Sequence, residues 1–239
     1  MNDPKAVTEM FDDISGNYDS LNHLLSFNID RIWRRKTSQW VAKRRPDTIL
    51  DVATGTADLA IQLAKDNPQA LVTGVDLSAK MLSIGQQKIA RKRLSNRIGL
   101  EVADASALPY ADNRFDVVTV AFGVRNFADR EKGLRELFRV CRDGGWIVVL
   151  EFSHPTDKMV KVPYRWYSRR WIPWIGQKVS KHPDAYRYLP ASVEAFPSTE
   201  AFKALLTQIG LRDIQIQSFS GGIATLYCGQ VSKNRESLQ

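Results

Sequence analysis

Cysteine is scarce: Cys141 and Cys228 stand alone in 239 residues, with no Cys or His neighbours at ligand spacing, so neither a disulfide framework nor a zinc site is expected. Both read as buried thiols, and no metal is expected. No apolar run approaches the roughly 20 residues that a bilayer span requires. The polar start Met1-Asn2-Asp3-Pro4 does not resemble an export signal, so a cytoplasmic protein is expected. No internal repeat is evident, and the length suits one α/β domain with additions. Acidic residues are the minority, 26 against 34 Lys and Arg, and the net charge of +8 favours an anionic partner, either nucleic acid or an acidic membrane surface. The cations cluster in Arg31-Ile32-Trp33-Arg34-Arg35-Lys36 with Lys43-Arg44-Arg45, and again from Lys158 to Lys181. The second cluster includes Arg165, Arg169 and Arg170, has no acid from Lys158 to Pro183, and interleaves Trp166, Trp171 and Trp174. Cations beside indoles in a helix-forming stretch match an interfacial surface, so peripheral contact with the inner face of an anionic membrane is expected.

Glycine is sparse where a phosphate site would need it. The stretch Ile49-Leu50-Asp51-Val52-Ala53-Thr54-Gly55-Thr56-Ala57-Asp58-Leu59, followed by Val72-Thr73-Gly74-Val75-Asp76, reads as strand, tight turn, helix, strand, acid. Gly55 lets a ligand approach the backbone, the next helix offers free N–H groups, and Asp76 ends the second strand as a ribose hydroxyl acceptor. The acid lies 21 positions after Gly55, near the roughly 20 of a dinucleotide fold. A dinucleotide site uses Gly-x-Gly-x-x-Gly to admit a pyrophosphate, whereas here Gly55 stands alone and Asp51 opens the turn. An acid suits a cation better than a phosphate. S-adenosylmethionine fits, having a ribose diol for Asp76, an ammonium and a sulfonium, and no phosphate.

The alternation continues along the chain. Strands are expected at 48–53, 70–76, 98–103, 115–122 and 146–152, and helices at 57–66, from the Ser78 cap to about Lys92, and at 130–142. Phe115 to Phe122 is a β-branched run suited to burial on both faces, and Asp143-Gly144-Gly145 reads as a helix stop. Before this core, residues 1–45 look like a helical extension, with Asp30 capping a helix that carries Ile32, Trp33, Thr37, Trp40 and Val41 on one side. After it, 154–197 shows no strand pattern and reads as a helical insertion able to cover a site. The tail gives a helix from the Ser198 cap to Ile209, Gly210 as C-cap, and strands 212–219 and 223–230 around Gly221-Gly222, a hairpin signal. The expected fold is α/β, a mostly parallel sheet with helices on both faces and an antiparallel ending.

These residues resemble the ubiquinone/menaquinone biosynthesis C-methyltransferase family over nearly the whole chain. The likeness rests on Phe11-Asp12-Asp13-Ile14-Ser15 to Tyr18-Asp19 and Asn22, Arg31 to Arg34, Leu50 to Asp58, Val75-Asp76-Leu77, and Asp104 to Pro109. It extends through Phe122-Gly123-Val124-Arg125-Asn126, the most specific element, Leu150-Glu151-Phe152-Ser153, Tyr188-Leu189-Pro190 to Phe196-Pro197, and Gly221-Gly222-Ile223. The resemblance implies a Rossmann-like class I S-adenosylmethionine-dependent methyltransferase fold with a seven-stranded sheet. It further implies methylation of a ring carbon of a polyprenylated quinol, with demethylmenaquinol the expected substrate and a benzoquinol the alternative. Carried over by motif, cofactor contacts fall on Thr56, Asp76, Asp104 and Ala105, beside Asp51 and Gly55 from the turn itself. Two departures stand out: Ala57 where the family often has glycine, and Ala121 where a serine often contacts the cofactor.

A ring carbon is a poor nucleophile unless an adjacent hydroxyl is ionised, so the reduced quinol must react. Arg125 is expected to favour the phenolate, its competing role being a pairing with Asp104 or Asp129. Asn126 is expected to orient a water or the second oxygen, and His154, after a strand C-terminus, is a candidate base. Tyr18, Tyr186 and Tyr188 are candidates to close over the site. An RNA methyltransferase would use the basic stretches as a nucleic-acid track, but the chain lacks an Asn-Pro-Pro-Tyr element and a cysteine pair for attack on a pyrimidine, so no nucleic-acid partner is expected. A membrane-surface module without activity is opposed by the intact Asp76, Asp104, Arg125 and Asn126.

Overall fold

The computed structural model describes residues 28–155 and 191–233, which build one seven-stranded sheet flanked by helices. In chain order the elements are α1 (Ile29–Ala42), β1 (Thr48–Val52), α2 (Asp58–Asp66), β2 (Leu71–Asp76), α3 (Ala79–Arg91), β3 (Ile98–Val102) and β4 (Phe115–Ala121). A 3₁₀ turn (Val124–Asn126) follows, then α4 (Arg130–Val140), β5 (Cys141–Phe152), α5 (Thr199–Ile209), β6 (Leu211–Phe219) and β7 (Ala224–Val231). The strand order is β3-β2-β1-β4-β5-β7-β6; β1 to β5 pair in parallel, and β7 runs antiparallel between β5 and β6.

Burial on both faces explains the β-branched composition of the central strands. Alternate residues enter two separate cores. Ile49, Val72, Val117 and Val148 pack with Trp33 and Val41 of α1 and Leu59 and Leu63 of α2. Leu50, Val118 and Val149 pack with Leu134 and Leu137 of α4 and Phe202 and Leu206 of α5. The order reverses between β1 and β4, and in open α/β sheets ligands gather outside the strand C-termini at such a point.

Three expectations change. The cap of α1 is Asn28, with Asp30 buried in the first turn and ion-paired to Arg34, and Ile32 is 54% exposed. The buried stripe runs Trp33, Thr37, Val41, each four residues apart, and Ile32 falls just outside it. Asp143-Gly144-Gly145 is no helix stop. Helix α4 ends at Val140, Cys141 pairs with Phe115, and pairing resumes at Val117 with Trp146, so residues 142–145 bulge out with Gly144 at φ 70°. The tyrosines at 18, 186 and 188 and the basic, Trp-rich stretch from Lys158 to Lys181 lie outside the described residues. Both cysteines are buried as expected, and burial pushes the Cys141 thiol up to about 12.

Candidate active site

The connection after β1 is built on left-handed backbone at Ala53, Gly55 and Ala57, with φ of 53°, 57° and 65°. Only glycine adopts this region freely; an alanine there costs about 1 kcal/mol. Thr54 N donates to Val75 O at 2.9 Å, tying the turn to β2. Asp76 at the end of β2 closes it: one carboxylate oxygen accepts from Gly55 N at 2.8 Å, the other from Ser78 N at 2.9 Å. Ser78 in turn caps α3 by accepting from Met81 N at 3.1 Å. One acid thus joins the glycine turn to the start of the next helix.

An open cleft lies over these strand ends, its empty volume about 930 Å³ with the mouth included. Gly55, Asp76, Leu77 and Met81 form one wall, the 103–106 segment a second, and Ala121 to Gly123 with Asn126 to Asp129 a third. Asp104 accepts from Ser106 N at 2.8 Å, which shapes the second wall into a tight turn. Gly123 allows the third wall to approach the first, since a Cβ there would lie 2.5 Å from the Ala53 Cβ. Gly123→Ala is therefore expected to push the β1 turn aside and weaken S-adenosylmethionine binding by about tenfold or more. Calorimetric titration checks this, with thermal unfolding to confirm a folded variant.

Of the residues singled out in the sequence, Gly55, Asp76, Asp104, Ala105 and Asn126 meet in the cleft wall, and Ala121 joins them. Asp51, Thr56, Arg125 and His154 do not line it among the described residues. Asp51, 1% exposed, lies behind the turn and accepts from the Thr54 and Thr119 hydroxyls, each at 2.7 Å. Burial pushes its carboxyl from 3.8 to about 6, opposed by those two hydrogen bonds and the charge of Arg34. Thr56 is turned toward α3, where its hydroxyl accepts from Lys88 Nζ at 3.0 Å; Lys88 also ion-pairs with Asp58. His154 is exposed, with Nε2 3.3 Å from the Phe196 carbonyl.

Arg125 has a partner that its sequence neighbourhood conceals. Its Nη1 lies 2.7 Å from Glu151 Oε1, with the arginine 5% and the glutamate 0% exposed. The Arg125 backbone N–H donates to the other Glu151 oxygen at 3.1 Å, and the same Nη1 donates to Phe122 O at 2.5 Å. In the sequence Glu151 stands in the Leu150-Glu151-Phe152-Ser153 element of the family resemblance, with no role assigned to it. Phe122, at φ 61°, holds a left-handed backbone that is strained for a bulky residue, of order 1–3 kcal/mol. Its N–H donates to Leu150 O at 2.8 Å, and Arg125 grips its carbonyl. The buried pair therefore fixes the kink from which Phe122 and Gly123 enter the cleft wall.

The model of the ubiE/COQ5 methyltransferase family matches residues 1–231. The chain is 43% identical over 223 residues to a demethylmenaquinone methyltransferase of Bacteroides fragilis, covering 93% of this chain and 91% of that one. It is 44% identical over 227 residues to the ubiquinone/menaquinone biosynthesis C-methyltransferase UbiE of Geobacter sulfurreducens, covering 95% and 88%. Among solved structures, a putative S-adenosyl-L-methionine-dependent methyltransferase from Methanococcus maripaludis superposes with a TM-score of 0.64 at 20% identity, over 93% of this chain and 94% of that one. The cyclase SpnF superposes with a TM-score of 0.66 at 16% identity, over 95% and 96%. These two likenesses show the fold, and the second shows that the fold alone does not set the chemistry.

Proposed function

The chain belongs to the ubiE/COQ5 methyltransferase family and is an S-adenosylmethionine-dependent C-methyltransferase of quinone biosynthesis, and from that premise we propose that it methylates the ring of a prenylated demethylmenaquinol. The observation that carries this reading is the joining of Asp76 and the single-glycine turn with the Phe122-to-Asn126 kink in one cleft. The residues present suit the cofactor: Asp76 ends β2 as an acceptor for a ribose diol, Asp104 lines the wall opposite, and the buried Asp51 behind the turn would favour a cation over a phosphate.

Bound there, S-adenosylmethionine supplies a methyl group on a sulfonium. The chain's task is to hold the ring beside that methyl and to let one ring hydroxyl lose its proton. Phe122, Phe127 and Ala121 make the third wall largely apolar, and a water-poor wall favours a step in which opposite charges vanish. Asn126, with both a donor and an acceptor on its amide, orients the hydroxyl or the water that takes its proton. Arg125 acts from behind the wall by holding the Phe122 carbonyl. The test supplies purified protein and cofactor with short-tailed naphthoquinol and benzoquinol, each reduced or oxidised. Methylation of the reduced naphthoquinol is expected; turnover of the benzoquinol alone, or of the oxidised ring, overturns the reading. A gene deletion should accumulate the demethylated naphthoquinone in lipid extracts.

A prenylated substrate resides in a bilayer, so contact with an anionic membrane surface belongs to the same proposal. No helix among the described residues is long and apolar enough to cross a membrane. Arg31, Arg35 and Lys36 are exposed along α1 and Lys43 directly after it, and no acid occurs from Arg31 to Pro46, which supports surface attachment through this helix. Each cation near such a surface contributes about 1 kcal/mol. Replacing Arg31, Arg35 and Lys36 by Gln is expected to reduce co-sedimentation with anionic vesicles at low salt and to spare turnover of a soluble quinol. Unchanged co-sedimentation removes α1 from the contact.

A further inference from the structure

Between β3 and β4 the chain runs from Ala103 to Arg114 without strand or helix, and its first part, 103–106, is the second wall of the cleft. Such a segment keeps its place only where its backbone polar groups find partners. At one end Ala103 N donates to Asp76 O at 3.1 Å, which fixes the wall to the end of β2. Within it the Asp104 turn closes on itself, Ser106 N donating to the carboxylate and Ala107 N to the Asp104 carbonyl at 3.0 Å. The far end is held from outside, by α4.

Glu136 and Arg139 lie three positions apart on α4 and so share one side of it. Glu136 Oε2 accepts from Leu108 N at 2.9 Å and Arg139 Nη2 donates to Leu108 O at 3.0 Å, so the pair binds both backbone groups of one residue, itself 4% exposed. Arg139 Nη1 donates to Tyr110 O at 2.7 Å, while its Nε and Nη2 meet the two Glu136 oxygens at 2.8 and 2.9 Å. The Arg139 guanidinium holds the Glu136 carboxyl below its ordinary range, so the pair is charged at neutral pH. Helix α4 also starts from Asp129, in the third wall. One helix therefore leaves the third wall and grips the end of the second. The Glu131 and Arg135 pair of the same helix, by contrast, is solvent-exposed.

We propose that Glu136 and Arg139 are positioning residues for the cofactor: by gripping Leu108 they set the place of the 103–106 wall and so tune S-adenosylmethionine affinity without touching the reacting atoms. The inference rests on the reading of Asp104 and Ala105 as cofactor contacts. Without the grip the wall is fixed at Ala103 alone, and the cofactor must order the rest on binding, at a cost in affinity. Once the cofactor is bound the wall is in place, so the chemical step is spared. A raised KM for the cofactor at unchanged kcat is the mark of such a role.

Calorimetric titration with S-adenosylmethionine, and quinol turnover at varied cofactor concentration, test it. Arg139→Gln is expected to weaken binding and raise the cofactor KM by about tenfold, with kcat within about twofold of wild type. Arg139→Lys keeps the charge but not the planar fork and should lose affinity several-fold; should thermal unfolding show Arg139→Gln unfolded, this variant carries the same readings. Arg135→Gln, the same charge change one turn earlier, should bind like wild type. Asp104→Asn and Arg139→Gln combined should lose less than the product of their separate losses, because both act on one wall. Wild-type affinity in the folded Arg139 variants, a lowered kcat at unchanged KM, or losses that simply multiply overturns the positioning role. Full affinity in Asp104→Asn overturns instead the reading of this wall as a cofactor contact, and the inference with it.

Discussion

Asp51→Asn is expected to yield a protein that is more stable at pH 8 and a poorer ligand for S-adenosylmethionine. The Asp51 carboxyl, ordinarily at 3.8, keeps its proton up to about pH 6 in the folded chain because burial disfavours its charge. The folded state then binds more protons than the unfolded one between these values. Stability from this group is full below about pH 4, falls as pH rises through 6, and stays low above. At about 1.4 kcal/mol per unit, the charged form costs the folded protein about 3 kcal/mol at pH 8. Asparagine keeps the shape, and the Thr54 and Thr119 hydroxyls can rotate to serve an amide. The gain should appear as several degrees in the unfolding midpoint at pH 8 and vanish near pH 4. Cofactor affinity should drop about tenfold as a cationic ligand loses a nearby carboxylate. Equal midpoint shifts at both pH values would show that packing, not charge, governs this position.

Arg125→Met should be the most destabilising single change near the cleft, by about 3–5 kcal/mol, because it leaves Glu151 buried without its counter-charge. Adding Glu151→Gln should restore much of that stability, since the pair is then replaced by neutral groups. Activity should not return with it: the Phe122 carbonyl has lost its donor, and the kinked wall has lost its brace. Denaturant unfolding of the two single variants and the double variant, with turnover measured on each, separates the effects. Full turnover in the double variant would remove the brace from the mechanism.

What could be read from the sequence was what adjacent residues decide. Phe115 to Phe122 announced a doubly buried strand, observed as Phe115–Ala121, because its β-branched side chains serve two cores, and Gly55, Asp76 and Asp104 announced a cleft because strand ends and turns are local signals. The Arg125 and Glu151 pair joins residues 26 positions apart. Only the parallel pairing of β4 with β5 brings them together, whereas the chain pointed to the nearer acids Asp104 and Asp129 as partners. Thr56 was assigned to the cofactor by motif, and the chain alone could not show that its hydroxyl also accepts from Lys88 of α3, 32 positions on. Periodicity placed α1 but put Ile32 on the wrong side, because one residue of helix phase is 100° of rotation.

The carboxylate of Asp76 has a kinetic consequence. By bonding Gly55 N and Ser78 N together, it joins the glycine turn to the start of α3 within one wall of the cleft, so the chain's own hydrogen bonds hold that wall in shape. Cofactor association is then expected to need no folding of this turn, so little of its conformational entropy should be lost on arrival. The residence time of the cofactor, rather than its rate of entry, becomes the quantity that substitutions around this cleft chiefly tune.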